Sequence, residues 1–403
     1  MEKGEHIPSV VASDAAMFSV VAGEDSVCVR EGTAATSPFF SIVMPVYGVE
    51  KYIERAISCI SNQTFRDWEL IVVDDCTPDE SARIAKDYAR RDPRVRLVHH
   101  KTNRGLSEAR NTGIREACGT YLWMPDPDDT YDIDLLERAH ATISEIAGTT
   151  ATISEAQTPD VVMFGYAENY FDENDNFLYT HALPIHAGTY GAPESWHPLV
   201  IDFERGTHYG YAWNKIYRLS RIQKLNLAFE NVRLIEDITF NVAFFQDAAS
   251  LCVLEGTPYY YAKRAGKSLT NANAYSAQTY YELHLRRVSM LYKQLASWGV
   301  LDAQAASTLG ALYGRYVLST LERQCVRTEG LNHASRRART KEMFSEPLFS
   351  ELIPNARAQG KALKVSLALL KTRNVSISLA LGRAIHIARM MSYKTFTRAR
   401  SER

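Results

Sequence analysis

The sequence predicts an α/β fold, a mostly parallel sheet with helices on both faces. Two observations carry that prediction. Short apolar runs alternate with stretches of helical periodicity from residue 39 to residue 124. The apolar runs end in polar or acidic residues, the pattern of parallel strands whose carboxyl ends line a ligand crevice.

The elements follow in order. Phe39-Phe40-Ser41-Ile42-Val43-Met44-Pro45 reads as a buried strand. Tyr52, Ile53, Ala56, Ile57 and Ile60 then share one helical face. A second strand, Trp68 to Val73, ends in Asp74-Asp75, and residues 81–89 read as helical. Val95 to Val98 is a third strand, and Leu106, Ala109, Gly113, Ile114 and Ala117 mark the next helix. A fourth strand, Thr120 to Met124, runs into Pro125-Asp126-Pro127-Asp128-Asp129. Further on, Asp160 to Tyr166 reads as a strand, Asp172 to Asn176 as a hairpin turn, and residues 276–353 as helices.

Composition narrows the function classes. The chain has 403 residues, with 46 Lys+Arg against 47 Asp+Glu. That near-neutral balance argues against nucleic acid as a partner, because such domains carry a basic excess. No apolar run reaches the roughly 18–20 residues of a membrane span. The opening MEKGEHIPSVVASDAA lacks the basic start and apolar core of a secretory signal. Six scattered cysteines without a CxxC pair point to a reducing, cytoplasmic setting. Residues 1–37 read as a disordered acidic leader. From Asn355 onward eleven Lys/Arg face only Glu402, a charge of +10. Leu363, Leu367 and Leu370, and then Ile377, Leu381, Ala384, Ile385, Ala388 and Met391, recur there at helical spacing. A basic amphipathic tail over 356–403 suits either an anionic membrane surface or packing on its own domain.

The acidic cluster is the sharpest chemical signal. Three carboxylates within four residues repel one another unless a cation or solvent relieves them. Mg²⁺ and Mn²⁺ take carboxylate oxygens together with substrate phosphates. An ordinary Asp-rich turn is the competing reading. The first strand is followed by PVYGVE, so neither a GxGxxG loop nor a Walker loop is present.

Taken together, FSIVMPVYGVEKYIERAISCISNQTF, WELIVVDDCTPDESARIAKDYA and VRLVHHKTNRGLSEARNTGIREACGTYLWMPDPDD resemble the family 2 glycosyltransferases, inverting enzymes of GT-A fold. The likeness is close over 39–140 and looser through YAWNKIYR, IEDITFNVAFF and YYYAKRAGKSLT. It implies a GT-A catalytic domain over 38–272, divided into a nucleotide-sugar half (38–140) and an acceptor half (141–272). A helical region (273–355) and the tail would follow.

By that resemblance Pro45, Val46, Tyr47 and Glu50 would line the nucleoside pocket and Asp75 would contact uracil. Arg110 would touch the nucleotide or its diphosphate. Asp126 and Asp128 would be the DxD pair holding Mn²⁺ or Mg²⁺, with Asp128 nearest the metal. Asp237 would be the catalytic base, with Glu236 beside it. Arg264, Ser268 and Thr270 would close over the donor phosphates, and Trp213, Asn214 and Glu236 would line the acceptor. Gly48, Cys76-Thr77 and Pro127 depart from the usual Asn, Gly-Ser and small residue of that pattern. The expected activity is metal-dependent inverting transfer from a nucleotide-sugar, a UDP-sugar by the likeness of Asp75, to a hydroxyl of a glycan or lipid-linked acceptor. Transfer to a polyprenyl phosphate, a non-catalytic nucleotide-sugar-binding role and a nucleotidyltransferase are the alternatives. The expected location is cytoplasmic, peripheral on the inner face of the plasma membrane. His99 and His100 lack a matching ligand set and read as non-ligands.

Overall fold

The structure, a computed structural model, describes residues 37–148, 158–264, 275–326 and 329–391. The acidic leader up to residue 36, Ser268 and Thr270, and the tail beyond 391 lie outside the described residues.

Ten strands form one sheet: β1 (Phe40–Val46), β2 (Trp68–Asp74), β3 (Val95–His99), β4 (Tyr121–Trp123), β5 (Thr130–Tyr131), β6 (Val161–Phe171), β7 (Phe177–Leu183), β8 (Gly188–Tyr190), β9 (Lys215–Arg218) and β10 (Leu251–Arg264). The main path runs β3-β2-β1-β4-β9-β6-β10-β5, with β7 on β6 and β8 on β10. Pair by pair, β3, β2, β1, β4, β6 and β10 point one way, and β9 and β5 run against them. The mostly parallel expectation therefore holds for strand direction. The reversed β9 joins the two parallel groups and makes the sheet mixed.

The chain winds outward from β1 to β3 and then returns to β4 on the other side of β1. That reversal is a topological switch point, and it opens a crevice past the carboxyl ends of β1 and β4. β4 pairs with β1 only as far as Ile42↔Trp123, so beyond that pair the two strands part.

Every residue of β1 and β2 is buried, as central parallel strands require when both faces are covered. On one face Ile42, Met44, Leu70 and Val72 pack with helices α1 (Ile53–Ser61), α2 (Ser81–Arg91) and α4 (Leu135–Ala147). On the other, Val43, Ile71 and Val73 pack with α3 (Leu106–Glu116). The short helices α5 (Pro193–Trp196), α6 (Val200–Arg205) and α7 (Leu219–Lys224) flank β9, and α8 (Glu236–Asp247) precedes β10.

The helical region comprises α9 (Ala277–Ser297), α10 (Ala303–Arg323), α11 (His333–Ser345), α12 (Pro347–Leu352), α13 (Lys361–Lys371) and α14 (Val375–Met391). Its Val288, Leu291, Leu309, Tyr313 and Val317 continue the core that lies under α3 and α8. In the tail, Leu367, Leu370 and Leu379 are buried and Leu363, Leu381 and Ile385 pack against that core. His386 and Arg389 pair with the buried Glu322 of α10. Part of the apolar stripe is thus spent on packing, while Ile377, Ala384 and Ala388 stay exposed. Among the described residues no helix is long and apolar enough to cross a membrane.

Gly113 lets α3 lie directly on β1: a Cβ there would overlap the methyl groups of Val43. Gly113→Ala gains roughly 0.5–1 kcal/mol of helix propensity, but overpacking at a rigid β-branched neighbour costs about 1–3 kcal/mol. The steric cost should win, and urea unfolding should show a net loss of stability. A more stable variant would mean that α3 can lift from β1 freely.

Candidate functional site

The turn after β4 distributes its three carboxylates to three different partners. Asp129 is fully buried. It accepts hydrogen bonds from the Tyr259 hydroxyl (2.6 Å) and the Ala262 N–H (2.7 Å). Burial, reinforced by Asp128 and Asp126, holds its carboxyl well above the usual range. Asp129 thereby ties the turn to β10. Asp126 donates its N–H to Tyr259 Oη (3.2 Å) and accepts from Arg110 Nη2 (3.1 Å) on α3. Burial pushes Asp126 up to about 6, with Arg110 opposing and Asp128 and Asp237 adding. Asp128 accepts from Arg264 Nη1 at 3.0 Å, and burial raises it as well.

Glu236 and Asp237 open α8. Asp237 Oδ1 accepts from Arg110 Nη1 (2.6 Å), and Oδ2 accepts from the Ala212 N–H (3.0 Å). One guanidinium therefore joins the end of β4 to the start of α8. Arg110 is 1% exposed, and Asp237, Asp126 and Glu236 keep it protonated against its burial. In this structure both arms of the Arg110 fork are taken by carboxylates. Burial and then Asp237 push Glu236 up to about 7, and its buried Oε2 has no partner among the described residues.

On the donor side, Pro45 and Val46 are buried, while Tyr47 is 52% exposed at the mouth of the crevice. Glu50 accepts the Glu80 N–H and donates its own to Asp79, fastening the loop after β1 to the start of α2. Asp75 directly follows β2. Its carboxylate accepts from the Arg104 and Gly105 N–H groups (2.8 and 2.7 Å), and His100 Nδ1 lies 2.7 Å away. It shapes the loop that leads into α3, and its oxygens are committed to the protein. His99 is 2.5 Å from Asp74, so both histidines serve carboxylates, not a cation.

Trp213 and Asn214 are 2% and 0% exposed. Trp213 stacks between Tyr211 and Tyr259. Asn214 donates to the carbonyls of Phe164 and His208. Buried Lys215 gathers the carbonyls of His208, Tyr209 and Tyr211, and burial pulls its ammonium down to about 7. These residues hold the 208–214 loop from behind. The half-buried Tyr211 is the ring left nearer the surface.

Arg264 ends β10 beside the acidic turn. Its Nη1 and Nη2 reach Asp128, its Nε reaches Asp175 Oδ1 (2.9 Å), and its guanidinium lies 4.0 Å from the Tyr52 ring centre. Tyr52 Oη in turn donates to Asp175. Sequence reasoning missed Asp175, Tyr52, Lys215 and the Asp129–Tyr259 bond. Only Asp175 had a local signal, its place in the 172–176 turn at φ 65°.

A divalent cation fits Asp126 and Asp128. Each gives one oxygen to an arginine and keeps the other out of any ion pair among the described residues. Burial raises both, so added positive charge is favoured. Among the described residues no group of three or more His, Cys, Asp or Glu is arranged to hold a metal ion, so further ligands would have to come from substrate and water.

Residues 41–190 match the family model described as glycosyl transferase family 2. The uncharacterized glycosyltransferase EpsJ of Bacillus subtilis is 36% identical over 225 residues, 56% of this chain and 61% of EpsJ. The minor teichoic acid biosynthesis protein GgaB of the same organism is 36% identical over 148 residues, 36% of this chain and 13% of GgaB. The chain spans about three-fifths of the length of the first curated relatives it matches. In structure it is similar to S. aureus TarS 1-349 in complex with UDP-GlcNAc: TM-score 0.56, 19% identity, 87% of this chain and 92% of that one. The likeness is one of fold.

The raised Glu236 has a pH signature. A carboxyl whose folded value exceeds its unfolded value, near 4.3, stabilises the fold fully only below that unfolded value. The contribution is lost as pH rises through about 7. Glu236→Gln should therefore melt close to the wild type at pH 5 and above it at pH 8. Parallel melting curves across that range would show that Glu236 is ordinary.

Proposed function

We propose that the protein, whose residues 41–190 match the family model described as glycosyl transferase family 2, is an inverting glycosyltransferase of surface-polysaccharide synthesis. The donor we propose is a UDP-sugar, and the acceptor a hydroxyl of a glycan or lipid-linked sugar. One observation carries the reading: Asp126 of the acidic turn and Asp237 of α8 converge on a single buried arginine. Groups suited to the leaving diphosphate and to the attacking hydroxyl thus share one crevice.

The acceptor oxygen attacks the anomeric carbon as the bond from that carbon to the diphosphate breaks, and the configuration inverts. The acceptor proton passes to a carboxylate at the start of α8, for which Asp237 is the candidate. Arg110 and the Ala212 N–H hold that carboxylate in a single orientation. Arg264, with two aromatic rings beside it, is placed to meet charge on the diphosphate. Asp126 and Asp128 are the residues that would hold Mn²⁺ or Mg²⁺, which when bound supplies Lewis-acid stabilisation of the leaving group. A near-neutral Glu236 beside Asp237 suits a hydroxyl, which must lose a proton, better than a polyprenyl phosphate, which is already ionised.

We also place the protein on the cytoplasmic side of an anionic membrane. The outward face of α13 carries Lys361, Lys364, Ala368 and Lys371 around Val365, itself 61% exposed. Residues 356–391 contain no acid. A cavity of about 380 Å³ beside α13 is lined by Arg357, Lys364 and Lys371 over Ala356, Ala358 and Leu367.

Nucleoside-diphosphate release from a panel of UDP-, GDP- and dTDP-sugars, with Mn²⁺, Mg²⁺ or EDTA, tests the transferase reading. One donor should be consumed in a metal-dependent way. Asp237→Asn should lower turnover by about 10²–10⁴-fold with UDP affinity unchanged, and Asp128→Asn should abolish the response to metal. A panel in which no donor binds or turns over would rule the reading out. Co-sedimentation with phosphatidylglycerol vesicles should fall in Lys361→Glu/Lys364→Glu. Equal binding to phosphatidylcholine vesicles would remove the membrane assignment.

A further inference from the structure

The helical region braces the crevice through α9. Arg287 there is half-buried and pairs with Glu204 of α6, with Nη2 at 2.6 Å and Nε at 3.1 Å from Glu204 Oε1. Glu204 is itself buried, and its other carboxylate oxygen has no partner among the described residues. The guanidinium is therefore the counter-charge that makes this burial tolerable. The same group stands against Gly210, where a Cβ would meet Arg287 Nη2 at 2.6 Å. A side chain at 210 would have to push the guanidinium aside.

Gly210 lies two residues before Ala212, whose N–H holds Asp237 Oδ2. About two turns further along α9, Gln294 accepts from the Tyr209 hydroxyl (2.7 Å) and donates to the Val242 carbonyl of α8 (2.9 Å). Asn241 of α8 donates to the carbonyls of Tyr209 and Tyr211. Thus α9 grips both partners of the Ala212–Asp237 hydrogen bond. It holds the loop through Arg287 and Gln294, and the helix through Gln294.

We propose that Arg287 is a positioning residue for glycosyl transfer: its pairing with Glu204 and its packing on Gly210 set the 208–212 loop so that the Ala212 N–H orients Asp237. This rests on the reading of Asp237 as the proton acceptor. Stability alone is a poor reason for the pair, because two apolar groups of the same volume commonly serve a core as well or better. What the pair supplies is a long, rigid, planar group seated against a glycine.

The test uses the full chain, the donor that the wild type consumes, and three variants. Glu204→Gln/Arg287→Met removes both charges together, so no buried charge is left unpaired. Arg287→Lys keeps the charge without the fork. Gly210→Ala intrudes on the guanidinium. For each, turnover is followed as a function of pH, UDP affinity by calorimetry, and stability by thermal melting. The double variant should keep the UDP affinity and melting temperature of the wild type. Its turnover should be about 10- to 100-fold lower, as expected for a displaced catalytic group, with the acidic limb of the pH profile moved. Arg287→Lys should recover part of the loss, and Gly210→Ala should resemble the double variant. A double variant with wild-type turnover and pH profile overturns the proposal, and so does one that loses UDP binding and melting temperature together with turnover. A wild type that binds no UDP and consumes no donor overturns the transferase reading and this proposal with it.

Discussion

A single buried guanidinium organises the crevice. Arg110 sits between Asp237 and Asp126 with almost no contact with solvent. The guanidinium could not be held so deep without the two carboxylates, since an unpaired charge in a low-dielectric interior is strongly unfavourable. Glu236 adds a third acid to the same neighbourhood. The planar fork matters as much as the charge: two N–H groups reach two carboxylates at once, which a lysine ammonium on a flexible stem does less precisely. α3, the end of β4 and the start of α8 therefore take their relative positions from one side chain.

The same principle recurs around that centre. Arg264 holds Asp128 to Asp175 across the carboxyl end of β10, and Tyr259 and Ala262 hold Asp129 from beneath. Each member of the acidic cluster is thus tied to a different part of the chain. Asp129 gives both oxygens to the fold, whereas Asp126 and Asp128 keep one oxygen each outside any ion pair among the described residues. The cluster divides between one carboxylate that builds the turn and two that remain able to act.

The loop from 208 to 214 shows how much buried polar structure a site wall needs. Lys215, Asn214 and Asn241 satisfy its carbonyls from inside, and Gln294 and Arg287 hold it from α9. Carbonyls turned inward must find donors, so the wall is ordered before any ligand arrives. The helical region shares its core with the face beneath α3 and α8, which makes it part of the site's support.

Much of this was legible in the residues. The alternation of apolar runs and helical stripes placed β1 to β4 and α1 to α3, because local periodicity decides which face of an element is buried. The acids after β4 and at the start of α8 were found for a similar reason: their positions follow from where strands and helices end. Partnerships were not legible. Arg110 sits in a motif that resembles a nucleotide contact, yet it pairs with acids 16 and 127 residues away. Trp213 and Asn214 lie beside the crevice in sequence and behind its wall in space. Asp75 faces the donor side, yet its oxygens go to backbone N–H groups nearly thirty residues on. The apolar stripe of the tail was visible, but whether it met lipid or protein depended on α10 lying underneath. Which element a residue occupies is a short-range property of the chain. What its charged or aromatic end touches is settled only when distant segments close together and each buried polar group must find a partner.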